Sequence, residues 1–279
     1  MVQRVLTLTL TLALPLAIWI AASLPARAND ARAVFEAMQL GEILGIMREE
    51  GLAYGDELQT EMFPGSGGAG WPRVVQRIYA PERMEREFFE PFAAELEGQD
   101  IQPLLDFFGS ERGQEIVKFE IGARRALLDE TVEEMAQQIW SDLKGELDPR
   151  HVLIERFVES NDLIEENVAG AMNASLAFYE GLSTGEEFES VWTMDRILAE
   201  VWDQESIIRA DTKDWIFPYL SLAFEPLRDS DIEAYISLSE TDAGRALNAA
   251  LFGAFDVLFV NISRDMGAAA AVYMQGEDI

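Results

Sequence analysis

Residues 104–135 of this chain come back, without a gap, at 235–266. A chain that repeats a segment of this length is built from like units, each burying one face against a neighbour, so the repeat restricts the architecture before any element is assigned. Laid over each other at the constant offset between Leu96 and Leu227, the blocks 96–135 and 227–266 share Asp100/Asp231, Ile101/Ile232, Gly113/Gly244, Gly122/Gly253, Ala123/Ala254, Leu127/Leu258 and Met135/Met266 as well. Conservative pairs keep the apolar and capping pattern in phase: Leu105/Ile236, Phe107/Leu238, Ser110/Thr241, Glu111/Asp242, Ile116/Leu247, Ile121/Phe252 and Leu128/Phe259. The expectation is an internal duplication, with a first helical module over 29–144 and a second over 145–279, each a normal size for one compact unit and the two sharing or abutting a core.

Strand signals are nearly absent, while capping signals and helical periodicity recur, so the expected class is all-α. Residues 33–50 place Val34, Met38, Ile43, Leu44 and Met47 on one broad face. Gly65, Gly67, Gly68 and Gly70 between Pro64 and Pro72 read as a flexible break, a surface linker or a lid carrying Trp71. Pro81 suits the first position of a helix that presents Met84, Phe88, Phe89, Phe92 and Leu96. Ser110 is placed to cap the long helix of the first copy, and Thr241 or Ser239 that of the second. Both long helices carry a Gly-Ala pair, Gly122-Ala123 and Gly253-Ala254. Glycine in mid-helix costs about 1 kcal/mol against alanine, so a matched pair predicts close approach of another helix at each. Asp148-Pro149 reads as a cap and first turn, which makes 141–147 the expected inter-domain link. Ser183-Thr184-Gly185-Glu186 and Ser230-Asp231-Ile232-Glu233 have capping-box form. The run from Gly244 to Met266 is apolar almost all round, broken mainly by Asn248, Asp256 and Asn261, as an internal core helix would be.

In the first copy the run Leu104-Leu105-Asp106-Phe107-Phe108-Gly109-Ser110-Glu111-Arg112-Gly113-Gln114 sets an aromatic pair before a small capping residue and a Gly-Gln. This resembles the signature of the bacterial domain-of-unknown-function family numbered 2059. The second copy lacks the aromatic pair and has Arg245 where the first has Gln114. The resemblance implies an exported, all-helical module of unassigned activity and supplies no catalytic residues.

The chain opens with Arg4, an apolar run from Val5 to Ile20, and Ala26-Arg27-Ala28, a small-residue cleavage pattern. A signal peptide over 1–28 follows, with no membrane anchor after its cleavage. The absence of cysteine excludes disulfides and a lipid-anchoring cysteine. The periplasm is the expected compartment, with full secretion as the alternative, and the mature fold must be held by core burial. The chain has 21 Lys+Arg against 51 Asp+Glu. That acidic balance excludes nucleic acid and anionic lipid surfaces as partners, since both are bound chiefly by neutralising phosphates with Lys and Arg.

The candidate chemistry is sparse. His151, the only histidine, forms a His-x-x-x-Glu pair with Glu155 but has no third metal ligand, and reads as an exposed first-turn residue. Asp229-x-Asp231-x-Glu233 begins like a calcium loop but lacks its glycine and terminal glutamate. No nucleophile elbow and no phosphate or dinucleotide fingerprint occurs, so the sequence assigns no catalytic residue, no metal ligand and no cofactor. One pairing is specific: Arg125 and Asp256 occupy matched positions in the two long helices, and would meet if the halves packed about a twofold axis through those helices. The leading functional expectation is a non-catalytic binding or interaction protein for an unknown partner. The alternatives are a carrier holding a small apolar ligand in a cavity between the long helices, and a carboxylate-based hydrolase, which needs one acid of raised pKa beside an ionised partner.

Overall fold

The computed structural model describes residues 24–65, 68–146, 148–185 and 193–274, and among them there are helices and no strand. In chain order these are α1 (Leu24–Ala37), α2 (Leu40–Met62), α3 (Gly70–Ile78), α4 (Pro81–Glu95), α5 (Gln102–Phe108), α6 (Glu111–Ala126), α7 (Glu130–Glu146), α8 (Pro149–Ser160), α9 (Leu163–Leu182), α10 (Met194–Phe224), α11 (Asp229–Ser239) and α12 (Asp242–Met274). Of the expected signal, residues 1–23 lie outside the described residues, and the cleavage pattern falls in the first turns of α1.

The segment expected as one helix over 33–50 is two. The chain turns at Gln39, whose backbone is left-handed at φ 52°. Gln114 fastens that corner, its Nε2 donating to the Ala37 carbonyl at 2.7 Å and to the Phe108 carbonyl at 2.5 Å. One amide thus satisfies orphan carbonyls at the ends of both α1 and α5. The Gly-rich break is shorter than expected: Gly70-Trp71-Pro72 open α3, and Trp71 is fully buried with its indole N–H donating to the Gly55 carbonyl at 2.7 Å. Trp71 is therefore a core residue that ties α3 to α2, and not part of a lid. The expected link over 141–147 is helical as far as Glu146, Leu147 lying outside the described residues, and Asp148 caps α8 by accepting from the Arg150 N–H at 2.8 Å. The capping-box form at 183–186 falls partly outside the described residues. At 230–233 it does not act as a cap, because α11 begins at Asp229 with no side-chain cap and the Asp231 carboxylate is turned to arginines.

The corners that open α6 and α12 have the same local geometry. The Ser110 hydroxyl accepts from the Gly113 N–H at 3.1 Å and donates to the Phe107 carbonyl at 2.6 Å. The Thr241 hydroxyl accepts from the Gly244 N–H at 3.0 Å and donates to the Leu238 carbonyl at 2.6 Å. A Cβ on Gly113 would stand 2.1 Å from the Phe107 carbonyl oxygen, and one on Gly244 2.1 Å from that of Leu238, so both corners admit only glycine.

α12 is the axis of the larger core. Leu247, Ala250, Ala254, Leu258 and Ile262 are buried along one face, against a cluster that includes Phe88 and Phe92 of α4, Trp71 of α3 and Leu104 and Phe108 of α5. It is long and apolar enough to cross a membrane by length and composition; one face is packed into the core, and 28% of its most apolar window is buried. Its most extensive neighbour is α9. The two backbones touch at Gly181 and Gly267: a Cβ on Gly181 would stand 2.1 Å from the Arg264 carbonyl oxygen, and one on Gly267 2.1 Å from that of Phe178. A second cluster joins α6, α8, α10 and α11 through Ile116, Ile154, Phe157, Leu220, Phe224 and Ile236. Each cluster draws on residues from both sides of position 145, so the halves share a core.

Candidate functional site

The matched Gly-Ala pairs do not mark helix crossings. A Cβ built on Gly122 or on Gly253 would meet nothing within 4 Å, although Ala123 and Ala254 beside them are buried. α6 and α12 have no extended contact with each other. Arg125 and Asp256 accordingly take separate partners: the guanidinium lies 3.4 Å from Glu49 and 3.7 Å from Glu42 on α2, and Asp256 accepts from the Asn173 amide of α9 at 2.8 Å. Gly122 is exposed at the surface, and what stands beside Gly253 is open space.

That space is a cavity of about 740 Å³, open along one side, within the range of ligand sites. Leu247, Leu251, Phe252, Phe255 and Phe259 line it from α12, and Phe157, Leu163 and Leu220 continue the apolar lining. Small residues make the room. Gly170, Ala171 and Ala174 of α9 line the cavity with Gly253 of α12, and a Cβ on Gly170 also meets nothing within 4 Å. A second cavity of about 470 Å³ shares Ala171, Ala174 and Phe259 with the first and is lined by Tyr54, Tyr79 and Tyr179.

One acid of the lining is anomalous. Glu120 of α6 falls on the same helical stripe as Ile116, Val117 and Ala123, which are buried, and it lines the cavity. Removal from water pushes its pKa up to about 8, against an opposing effect from the Tyr235 hydroxyl, which donates to the carboxylate. Desolvation outweighs the single hydrogen bond because nothing offsets the charge: no cation is paired with Glu120 among the described residues. Arg124, one turn on, is held by Glu50 of α2 through Nε and Nη2 at 3.0 and 2.6 Å, and its guanidinium lies 4.6 Å from the centre of the Trp215 ring.

The tyrosines around Glu120 are held firmly. Tyr235 packs against Phe107 at 5.6 Å, Phe108 at 5.9 Å and Phe157 at 4.8 Å between ring centres, so the aromatic pair of α5 walls a tyrosine of α11. Tyr219 stacks on Trp215 at 4.9 Å and donates to the Glu120 backbone carbonyl at 3.4 Å. Burial pushes both phenols well above their ordinary value, with the nearby Glu120 charge adding to it, so both hydroxyls stay protonated donors.

The other sequence candidates are structural. His151 is buried rather than exposed, stacked 4.7 Å from Trp140, which stacks in turn 4.6 Å from Phe217, and its Nε2 lies 3.3 Å from Glu155. Asp231 is buried between Arg228 at 2.8 Å and Arg112 at 2.8 Å, and these hydrogen bonds, Arg228 first, hold its carboxyl below the usual range. Its oxygens are committed to arginines and do not form a calcium loop.

Sequence reasoning missed Glu120, Tyr219 and Tyr235. The signal for Glu120 was present as an acid on the apolar stripe of α6; that for the tyrosines was not, because they come from helices distant in the chain. Residues 82–142 match the family described as Uncharacterized protein conserved in bacteria (DUF2059). The match takes in Phe107, Phe108 and Glu120 and ends before the helices that bring Tyr219 and Tyr235. No curated protein and no solved structure matches the chain.

Proposed function

We propose that this is a non-catalytic binding protein whose cavity takes a small, largely apolar molecule carrying one polar group. The observation that supports this reading is the cavity of about 740 Å³, walled by Leu and Phe side chains and lined by the desolvated Glu120, with which no cation is paired among the described residues. An empty apolar surface of that extent is costly beside water, and a ligand that covers it gains at about 25 cal/mol per Å². The raised acid required by a hydrolase is present, but its hydrogen-bonded partner is Tyr235 and not a second carboxylate, which favours binding over acid-base chemistry. The proposal includes export to the periplasm, on the strength of the apolar run from Val5 to Ile20 and the Ala26-Arg27-Ala28 pattern that follows it. It also includes descent of the two blocks from one duplicated helical unit, supported by the equal corner geometry at Gly113 and Gly244. Glu120 and Leu251, and likewise Arg124 and Phe255, stand at equivalent places in the two blocks and line the same cavity.

Native mass spectrometry of the protein purified mildly from its own cells tests the reading. A reproducible small adduct is expected, absent from a Gly253→Phe variant. That position has open space for a side chain, so the substitution fills the cavity without displacing backbone. Bare polypeptide mass for both proteins, with no apolar probe bound at micromolar concentration, would overturn it.

A further inference from the structure

Among the polar groups of the cavity, charge is unevenly placed. The acids that line it are Glu120 of α6, Glu166 of α9 and Asp256 of α12. The one lining base is Arg124, whose charge is already matched by Glu50. Beside Glu120 stand the aromatic side chains of Tyr235, Tyr219, Trp215 and Phe157. An anionic head group entering here would meet a carboxyl, two further acids and a chain of net charge −30. A neutral head would find a single hydrogen-bond donor or acceptor, worth about 1 kcal/mol net. A cation finds an unpaired carboxylate in an apolar setting, where a charge-assisted pair is roughly twice as strong as a neutral one, together with aromatic faces.

We propose that the ligand is a cationic amphiphile, an ammonium group on an apolar body, with the ammonium set against the Glu120 carboxylate and Tyr235, and the body along the α12 wall. This rests on the binding reading above and adds the head group to it. It carries a proton step that balances: the acid form of Glu120 loses its proton to solvent as the cation arrives, so a neutral site becomes an ion pair and one proton is released. The other groups facing Glu120 do not take that proton. The phenols of Tyr219 on α10 and Tyr235 on α11 are both raised, and Arg124 on α6 is engaged by Glu50 of α2. Glu166 and Asp256 line the cavity from α9 and α12. Because Glu120 titrates near 8, affinity for the cation is expected to fall about tenfold for each pH unit below that and to level off above it.

The test uses the full chain and one tail with three heads: decylammonium, decanol and decanoate, each by isothermal titration calorimetry from pH 6 to 9 in two buffers of different ionisation enthalpy. The expected result is a preference for the cation of at least tenfold over the other two at pH 8.5. Its affinity should fall by about a hundredfold at pH 6, with close to one proton released there. Glu120→Gln should abolish the pH dependence and the preference, whereas Glu82→Gln, at an exposed acid outside the cavity lining, should keep both. If decanol or decanoate binds as well as the cation, the cavity binds apolar chains but the head-group proposal is overturned. If none of the three binds, the binding reading itself fails. A cation affinity that is flat with pH, or a pH dependence that survives in Glu120→Gln, would also overturn the assignment to Glu120.

Discussion

Replacing Glu120 by glutamine should make the protein more stable in alkali and leave it nearly unchanged in mild acid. The carboxyl titrates at about 8 in the fold against an ordinary 4.5, because burial disfavours its charge. At about 1.4 kcal/mol per pH unit, ionising it in place would cost up to about 5 kcal/mol. The cavity is open to water along one side and Glu120 is half-buried, which reduces the expected cost to about 2 kcal/mol. The folded state holds the proton more tightly than the unfolded state, so the stability associated with protonated Glu120 is complete below pH 4.5 and is lost as pH rises through about 8. Glutamine cannot ionise and still offers an oxygen to the Tyr235 hydroxyl. Urea unfolding of the two proteins side by side from pH 5.5 to 9 isolates this one group, because the other acids are common to both and cancel in the difference. The variant should lie within about 1 kcal/mol of the parent at pH 5.5 and exceed it by about 2 kcal/mol at pH 9. In a chain of this size that is a rise in melting temperature of about 4–8 °C. A difference that does not change with pH, or a variant less stable at pH 9, would show that Glu120 is not the desolvated acid that the cavity geometry makes it.

Further substitutions separate glycines that face space from those that face backbone. Gly122→Ala and Gly253→Ala should each raise stability by up to about 1 kcal/mol, since the added methyl meets nothing within 4 Å, while Gly267→Ala should lower it by about 1–3 kcal/mol against the Phe178 carbonyl, all read by thermal unfolding. Gln114→Ala leaves the Ala37 and Phe108 carbonyls without their donor and should cost about 2 kcal/mol, with hydrogen exchange increased first at the α1–α2 corner. Asp231→Asn should cost about 1–2 kcal/mol at neutral pH. The contribution of Asp231 is present above its ordinary value of 3.8 and lost as pH falls through its lower folded value, so parent and variant should converge in strong acid.

The helical class and most helix starts could be read from local signals, because caps at Ser110, Thr241 and Asp148 and the proline at 81 act within a single turn. What escaped were features decided by distant residues. Gln39 adopts a left-handed corner because Gln114, far along the chain, bonds the carbonyl ahead of it. Trp71 sits in a glycine-rich stretch that reads as surface, and it is buried because Gly55 presents a carbonyl to its indole. The mid-helix glycines Gly122 and Gly253 suggest a helix contact from sequence and face open space in the structure: a missing side chain permits either contact or space, and only the neighbouring helices decide which. Of the candidate site, the acid on the α6 stripe was open to inspection from periodicity alone. Its tyrosine and aromatic surroundings come from α8, α10 and α11, and no spacing rule brings those together.

The position of α12 in the chain governs when the rest of the protein can settle. Residues from 31 to 117 belong to a core whose other part is supplied by Leu182 and by residues from 238 to 273, most of them on α12, the last described helix. Until those later residues are available, Phe88 and Trp71 have only their early partners Phe35 and Phe63 and lack the rings of Phe255 and Tyr273 that complete their packing. Contacts of such long sequence separation are closed late and slowly. The packing of the early helices is therefore completed only when α12 joins them. A chain of this kind stays deformable along its first part until its last described helix is in place, and only then becomes a rigid body.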